Sequence, residues 1–396
     1  MARLRGQTST VTTGPGTIVA STAAPASPHV GQRWFKPETA VTYQYTSDGA
    51  TNFWLDISSG GIGQNAVRSA DIVGDIDPHL EINPAGGVGS VYYNREAHRY
   101  FICTDATSNA NVWAGRYVGF GGLQQTYDTG SNTYFMSHTF LSGGIFHMDV
   151  TTTCSVLVVG GGGAGGPANS AGGGGGGAGE FMLNASLSVT AGKYQVTVGR
   201  GGISPHNSSG IVVRGKNGSS SIFSSITALG GGGGGAQNTE RTGAAGGSGG
   251  GAGYNASSAA SGGGSGTGGN NGGAFTASTN SGGGGGGAAA VGGNSATTQG
   301  GAGGNGTANA YRTGSNVTYA AGGGGGGYGD SKGGAGGSSN IGGKGGDTAD
   351  GNVANDGVLN TGSGGGGGGS NTGTTGAGRP GSGADGIVII RYALNP

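Results

Sequence analysis

The sequence predicts an all-β protein with polyglycine: N-terminal β-hairpin modules followed by a glycine-rich β domain containing packed polyglycine II-type helices. Three observations carry this. Of 104 glycines, 19 lie in residues 1–150 and the other 85 in residues 151–396. β-prone stretches bounded by turn residues flank that glycine-rich part at both ends. No helix can run through the six-glycine stretches, because each glycine costs about 1 kcal/mol against alanine in a helix.

The first 27 residues, rich in Thr, Ser, Ala and Pro, read as an extended attachment arm. Residues 28–66 form the first module. There GQRWFKPETAVTYQYTSDGATNFWLDIS sets Trp34, Phe35, Tyr43, Tyr45 and Trp54 on β-prone stretches broken at Pro37 and at Asp48-Gly49. Residues 67–135 hold a connector and a second copy: Tyr92-Tyr93 match Trp34-Phe35, Phe101 matches Tyr43, Cys103 matches Tyr45 and Trp113 matches Trp54. Aromatic residues fixed at hairpin positions are expected to form the core of so small a unit, with a sugar-stacking platform as the other reading. The connector DIVGDIDPHLEINP reads either as a link or as an edge strand.

Residues 136–396 make the glycine-rich domain. Strands are expected at Thr139–Val150, at the continuous apolar run Cys154–Val159, in a hairpin turning at Ala191-Gly192, in SSSIFSSITALG and in the closing DGIVIIRY. Strands at both ends of the glycine region imply closure by terminal pairing. Between them lie six-glycine runs at 172–177, 230–235, 282–287, 322–327 and 364–369. Gly-X-Y periodicity is absent, which excludes collagen. A flexible linker is one reading of such runs. The expected one is a bundle of extended three-residue-per-turn helices, because only glycine lets backbones approach closely enough to pair on several sides.

If runs alternate in direction, the linking segments fall on two ends. One end would collect 236–245, 270–281, 305–321 and 347–363, the other 252–261, 288–299, 328–332 and 370–380. The first carries the receptor-binding candidates Arg241, Phe275, Tyr311, Arg312 and Tyr319, whose stacking faces and bidentate donors suit glycans or exposed protein loops.

Other functions find little support. Eighteen basic and eighteen acidic residues give no net charge, hence no electrostatic footprint for nucleic acid. No apolar stretch forms a secretory signal or a bilayer span, so no membrane insertion is expected. Two cysteines, Cys103 and Cys154, are too few for a disulfide framework and are expected as buried free thiols. VLVVGGGGAGG imitates a dinucleotide fingerprint, but that fingerprint needs a helix after the glycines. No paired carboxylates, nucleophilic triad or metal-ligand spacing is present, so no enzyme activity, cofactor, catalytic residue or metal site is expected.

The frame TFLSGGIFHMDVTTTCSVLVVGGGGAGG, SLSVTAGKYQVTVGRGG, SSIFSSITALGGGGGG and DGIVIIRY resembles the glycine-rich domain of tail-fibre and receptor-binding proteins of tailed bacteriophages, over about residues 136–396. The hairpin motif is similar to a short repeat of phage fibre N-terminal regions, and the glycine runs resemble the distal adhesins of some T-even-like phages. The resemblance implies a virion tail fibre or adhesin, exposed outside the particle and made in the host cytoplasm. It implies attachment to other virion or tail proteins through the N-terminal region, and recognition of a host glycan or outer-membrane protein through loops of the glycine-rich domain. A homo-oligomer, a trimer by analogy, goes with it. The alternative is a purely structural fibre-shaft or decoration protein. A surface-binding polyglycine protein would need periodic Thr or Gly-x-x spacing, which is not evident.

Overall fold

The computed structural model describes residues 18–20, 23–28, 33–36, 41–47, 52–56, 72–74, 77–87, 90–94, 99–116, 119–129, 134–205, 213–237, 240–255, 263–276, 280–297, 299–349, 351–371 and 378–393. The chain divides into two compact units, Met1–Trp113 and Ala114–Pro396. The second begins upstream of residue 136, because strands before that point belong to it.

The first unit holds two four-stranded sheets of one plan. In the first, β1 (Ile18–Ala20) runs parallel to β2 (Arg33–Lys36), which continues antiparallel to β3 (Val41–Ser47) and β4 (Asn52–Asp56). In the second, β5 (Ile72–Gly74) is parallel to β6 (Val91–Asn94), followed by β7 (Arg99–Asp105) and β8 (Val112–Arg116). The registers agree with the matched residues: Trp34 lies opposite Tyr43, and Tyr92 opposite Phe101. Each sheet also carries a parallel first strand, so the connector supplies an edge strand and the expected arm contributes β1. Trp34, Tyr92 and Cys103 are buried, and Tyr92 meets the rings of Phe101 and Trp113 edge-on at 6.3 and 5.7 Å. Trp34 and Tyr92 are thus core, while Tyr45, Phe101 and Trp113 are half-buried. The turns at 48–50 and 37–40 lie outside the described residues.

The second unit joins a β-sandwich to the glycine runs. One sheet is ordered β10 (Leu123–Asp128), β11 (Tyr134–Phe140), β20 (Ile387–Ala393), β13 (Thr152–Val159), β14 (Phe181–Val189). The other is ordered β17 (Ile226–Ala228), β16 (Ser221–Phe223), β15 (Gly192–Thr197), β12 (Gly144–Met148), β9 (Gly119–Phe120). β18 (Thr307–Asn309) and β19 (Val317–Tyr319) form a separate two-stranded ribbon. β13 pairs with β20 from Val159–Ile387 to Ser155–Arg391, the expected terminal closure.

Three strand expectations need correction. Thr139–Val150 is not one strand: the chain leaves one sheet at Phe140 and enters the other at Gly144, turning at Leu141–Gly143. Ala191-Gly192 does not close a hairpin, because β14 and β15 lie in different sheets and the turn is an arch between them. SSSIFSSITALG gives two strands, with Ser224 at φ 53° in the turn. At Leu141–Gly143 and at Ala191-Gly192 the sheet the chain turns into is set by which face must be buried, whereas β16 and β17 stay in one sheet as a tight hairpin.

Between the sheets lies a core of Met136, Phe140, Phe146, Met148, Cys154, Val156, Val158, Val196, Phe223, Val388, Ile390 and Tyr392. The other face of β13 and β20 presents Leu157, Val159, Ile387 and Ile389, covered by Ala178, Tyr319 and Ala320. β13 and β20 are thus buried on both faces, which is why they read as continuous apolar runs.

The glycine runs continue the strand pairing. Past the Val159–Phe181 pair, Gly160, Gly163 and Gly166 donate their N–H groups to the carbonyls of Glu180, Gly177 and Gly174. The intervening residues turn elsewhere: Gly161 and Ala164 to Ser219 and Lys216, Gly162 and Gly165 to Ala384 and Gly381. Every third residue therefore faces the same neighbour. Run 172–179 sits among six neighbours, donating to 280–286, 362–368 and 232–235 and accepting from 163–166, 323–326 and 248–254. Buried backbone needs these partners.

Bond registers also fix direction: successive runs alternate. Shorter runs at 241–244, 263–266, 292–295, 333–337, 342–346 and 352–357 each reverse the chain once more. Run ends at 160, 180, 199, 219, 230, 306, 320 and 386 adjoin strands and gather at the sandwich. Those at 167, 172, 205, 213, 237, 255, 281, 328, 347 and 378 gather at the opposite end.

Candidate functional site

The sequence-predicted candidates divide between the two ends, which corrects their assignment to one. The segment 305–321 folds onto the sandwich end as the β18–β19 ribbon. Tyr319 there is fully buried against the apolar face of β13 and β20. Tyr311 and Val317 pack against the same cluster. The ribbon is held by hydrogen bonds to its backbone: Tyr127 Oη donates to the Tyr311 carbonyl at 2.9 Å, and Ser137 Oγ to the Arg312 carbonyl at 2.8 Å. Arg391 of β20 lies over the Tyr311 ring at 3.7 Å and the Phe135 ring at 4.3 Å, and donates to Tyr127 Oη at 3.0 Å. Tyr311 thus stacks on a cation from its own chain. Burial raises the Tyr127 and Tyr319 phenols, opposed at Tyr127 by Arg391 and at Tyr319 by Arg312. Of the three candidates on this segment, Tyr319 is structural, and Tyr311 and Arg312 are half-buried.

Arg241 and Phe275 belong to the opposite end. Arg241 is exposed, and its carbonyl accepts from Gly253 at 2.8 Å. Phe275 is buried, 1% exposed, with Tyr254 edge-on to its ring at 5.4 Å. It is therefore a prop rather than a contact face, and the Tyr254 ring it meets is half-buried. The same end carries half-buried Tyr328 and exposed Glu240, Asp330, Lys332 and Arg379. Buried Gln237 holds the turn after the first run: its Oε1 accepts from Asn169 and Ser170 amides at 2.8 and 2.7 Å, and its Nε2 donates to Ser170 Oγ at 2.6 Å. Sequence reading missed Gln237, Tyr254, Tyr328 and Lys332. Their signal was position, each lying next to a run end, and it becomes visible only once every short run is counted.

Neither end has the makings of a metal centre: among the described residues no group of three His, Cys, Asp or Glu could hold an ion. No helix among them is long and apolar enough to cross a membrane. Residues 160–180, the dinucleotide-like stretch, are two extended runs joined by bends at 169–171, with no helix to face a pyrophosphate. The thiols of Cys103 and Cys154 are buried and unpaired, and burial pushes Cys154 up to about 12.

Residues 144–393 match the family described as glycine-rich domain. The chain belongs to the glycine-rich domain family. The matched span starts at the first residue of β12 and ends at the last of β20, so the glycine-rich domain takes in the runs together with most strands of the sandwich. No curated protein matches the chain.

Proposed function

We propose that this glycine-rich domain protein is a virion tail fibre or adhesin that recognises the host cell surface with the end of the glycine bundle opposite the sandwich. On this reading the glycine segments are polyglycine II-type helices packed side by side. The third-residue bonding and the six neighbours of run 172–179 support that reading, since such helices have three residues per turn and no internal hydrogen bonds. At about 3.1 Å per residue, an eight-residue run then spans roughly 25 Å.

The observation that carries the reading is the alternation of the runs. It gathers one set of connections at the sandwich, where the ribbon is absorbed as core, and the other set at an end bearing Arg241, Tyr254, Tyr328, Lys332 and Arg379. Phenol rings and guanidinium groups on rigid supports suit a host glycan or an outer-membrane protein loop. The two sheets of the first unit serve as hairpin modules that attach the chain to other virion proteins, in a homo-oligomer with a trimer favoured.

The test is labelling of host bacteria by fluorescent full-length protein, and competition with virus adsorption. Wild type and Arg312→Ala are expected to bind and compete, and Arg241→Ala combined with Tyr254→Ala and Lys332→Ala to lose both. Binding by all three overturns the assignment of this end. Failure of the folded wild type overturns recognition and leaves the purely structural fibre.

A further inference from the structure

One buried titratable group has no part in that function. His138, in the middle of β11, is fully buried and faces the inter-sheet core between Met136 and Phe140. Its Nδ1 lies 2.8 Å from the Gly121 carbonyl, which can only accept, so Nδ1 carries the proton. Its Nε2 then accepts from Tyr392 Oη at 3.4 Å, and that oxygen accepts from the Gly119 amide at 3.1 Å. The ring stacks on Tyr392 at 5.7 Å and meets Phe146 edge-on at 5.0 Å. In the neutral ring both nitrogens are matched, Nδ1–H donating to the Gly121 carbonyl and Nε2 accepting from Tyr392.

Its partners lie at one place in the chain. Gly121 and Gly122, at φ 111° and 65°, form the corner where the chain passes from β9 in one sheet to β10 in the other. A Cβ on Gly121 would overlap the Ile145 carbonyl, so the corner is pressed against β12. β9 has only two residues, which gives it few ladder bonds of its own. The His138 and Tyr392 contacts are the side-chain bonds that hold Gly119 and Gly121 down.

We propose that His138 is an acid-sensitive latch that holds the β9–β10 corner, the start of the second unit, against the sandwich and releases it when the imidazole takes up a proton. Among the described residues no charged group faces the ring to stabilise that proton. The corner offers carbonyls and amides, and Gln124, opposite His138 in the β10 ladder, is neutral. β12 offers Phe146, while His147 and Asp149 pair with each other at 3.0 Å at partly exposed positions. β20 offers the Tyr392 hydroxyl, while the Arg391 guanidinium lies over Phe135 and Tyr311. Burial accordingly lowers the His138 pKa from 6.5 to about 4, against the opposing pull of the Gly121 carbonyl.

The sign follows from linkage. The released form binds the proton more tightly, so closure weakens as pH falls below 6.5 and the loss levels off below about 4. Between pH 7 and 4.5 the opening equilibrium rises on the order of 60-fold.

Amide hydrogen exchange of the full chain, corrected for the intrinsic pH dependence of exchange, tests this. Protection of 119–128 is expected to fall by that factor between pH 7 and 4.5, while 160–180 keeps its protection. His138→Gln, which keeps a donor for Gly121 but cannot charge, is expected to flatten the dependence, and His147→Gln to leave it unchanged. Equal loss in 119–128 and 160–180 would mean global acid unfolding and overturn the latch. So would an undiminished pH dependence in His138→Gln. If that variant fails to fold, the ratio of the two segments within wild type still decides.

Discussion

The amide of Gly163 donates to the carbonyl of Gly177 at 2.8 Å, while a Cβ built on Gly163 would overlap the carbonyl oxygen of Gly232 in a third run. Glycine is needed here for room and not for an unusual φ. Among the described residues the glycines with positive φ are Gly87, Gly121, Gly122, Gly192, Gly314, Gly329, Gly351 and Gly362, none of them inside a six-glycine run. The same overlap with neighbouring backbone recurs along the runs, so no flexible side chain can yield.

Gly163→Ala is therefore expected to cost about 3 kcal/mol or more, the upper range for overpacking. Gly143→Ala, whose Cβ would meet only the Val196 carbonyl at 3.5 Å, is expected to stay within about 0.5 kcal/mol of wild type. Urea unfolding midpoints compare them. Equal midpoints would sink the close-approach account of the glycine content.

Tyr319 gives a second contrast. Its ring is fully buried against Leu157, Ile387 and Ile389, yet its hydroxyl has no hydrogen-bond partner. Removing an unsatisfied buried hydroxyl is neutral or favourable, so Tyr319→Phe is expected to leave stability unchanged or raise it by up to about 1 kcal/mol. Tyr319→Ala is expected to cost about 3–5 kcal/mol. Thermal unfolding of both variants checks this, and a clear loss in Tyr319→Phe would mean that the hydroxyl is bonded after all.

That buried tyrosine also marks where the sequence stopped being legible. β13 and β20 were readable because a residue run such as Val156–Val159 has no polar face, and their pairing followed from closure. The same run already demanded a cover on its second face. In a chain whose middle is mostly glycine, few segments carry bulk, and 305–321 is one that does. Reading its tyrosines as exposed followed from their Asn and Thr neighbours, and ignored the apolar area waiting at Leu157 and Ile389. The ends were misassigned for a different reason. Direction depends on counting every reversal, and short runs such as 263–266 do not stand out by composition although their bonds define them.

Gln237 positions a turn at the end proposed for recognition. Gln237→Ala would strip the acceptor from the Asn169 and Ser170 amides and the donor from Ser170 Oγ. Both residues are exposed, so water replaces part of the loss, and about 1–2 kcal/mol is expected. Hydrogen exchange at 168–171 should accelerate while 160–166 keeps its protection. Unchanged exchange at 168–171 would remove Gln237 from any positioning role.

Cys154 supplies a probe of the sandwich that needs no engineered label. Its thiol lies in the inter-sheet core, and burial lifts it from 9.0 to about 12. Only the thiolate reacts, so at pH 8 the folded thiol is ionised about a thousandfold less than in an unfolded chain. Labelling by a small disulfide reagent at pH 8 is thus expected only as fast as the sandwich opens, and to become immediate in urea. The linkage sign makes a further demand. Above pH 9 the unfolded thiol loses its proton while the folded one keeps it, so stability falls with rising pH, by about 1.4 kcal/mol per unit from this group until pH 12. Cys154→Ala would leave a small cavity and a lower stability at pH 7, yet a flatter decline between pH 9 and 11. A variant that declines as steeply as wild type would show that other groups drive alkaline unfolding, and fast labelling of the native protein would place Cys154 outside the closed core.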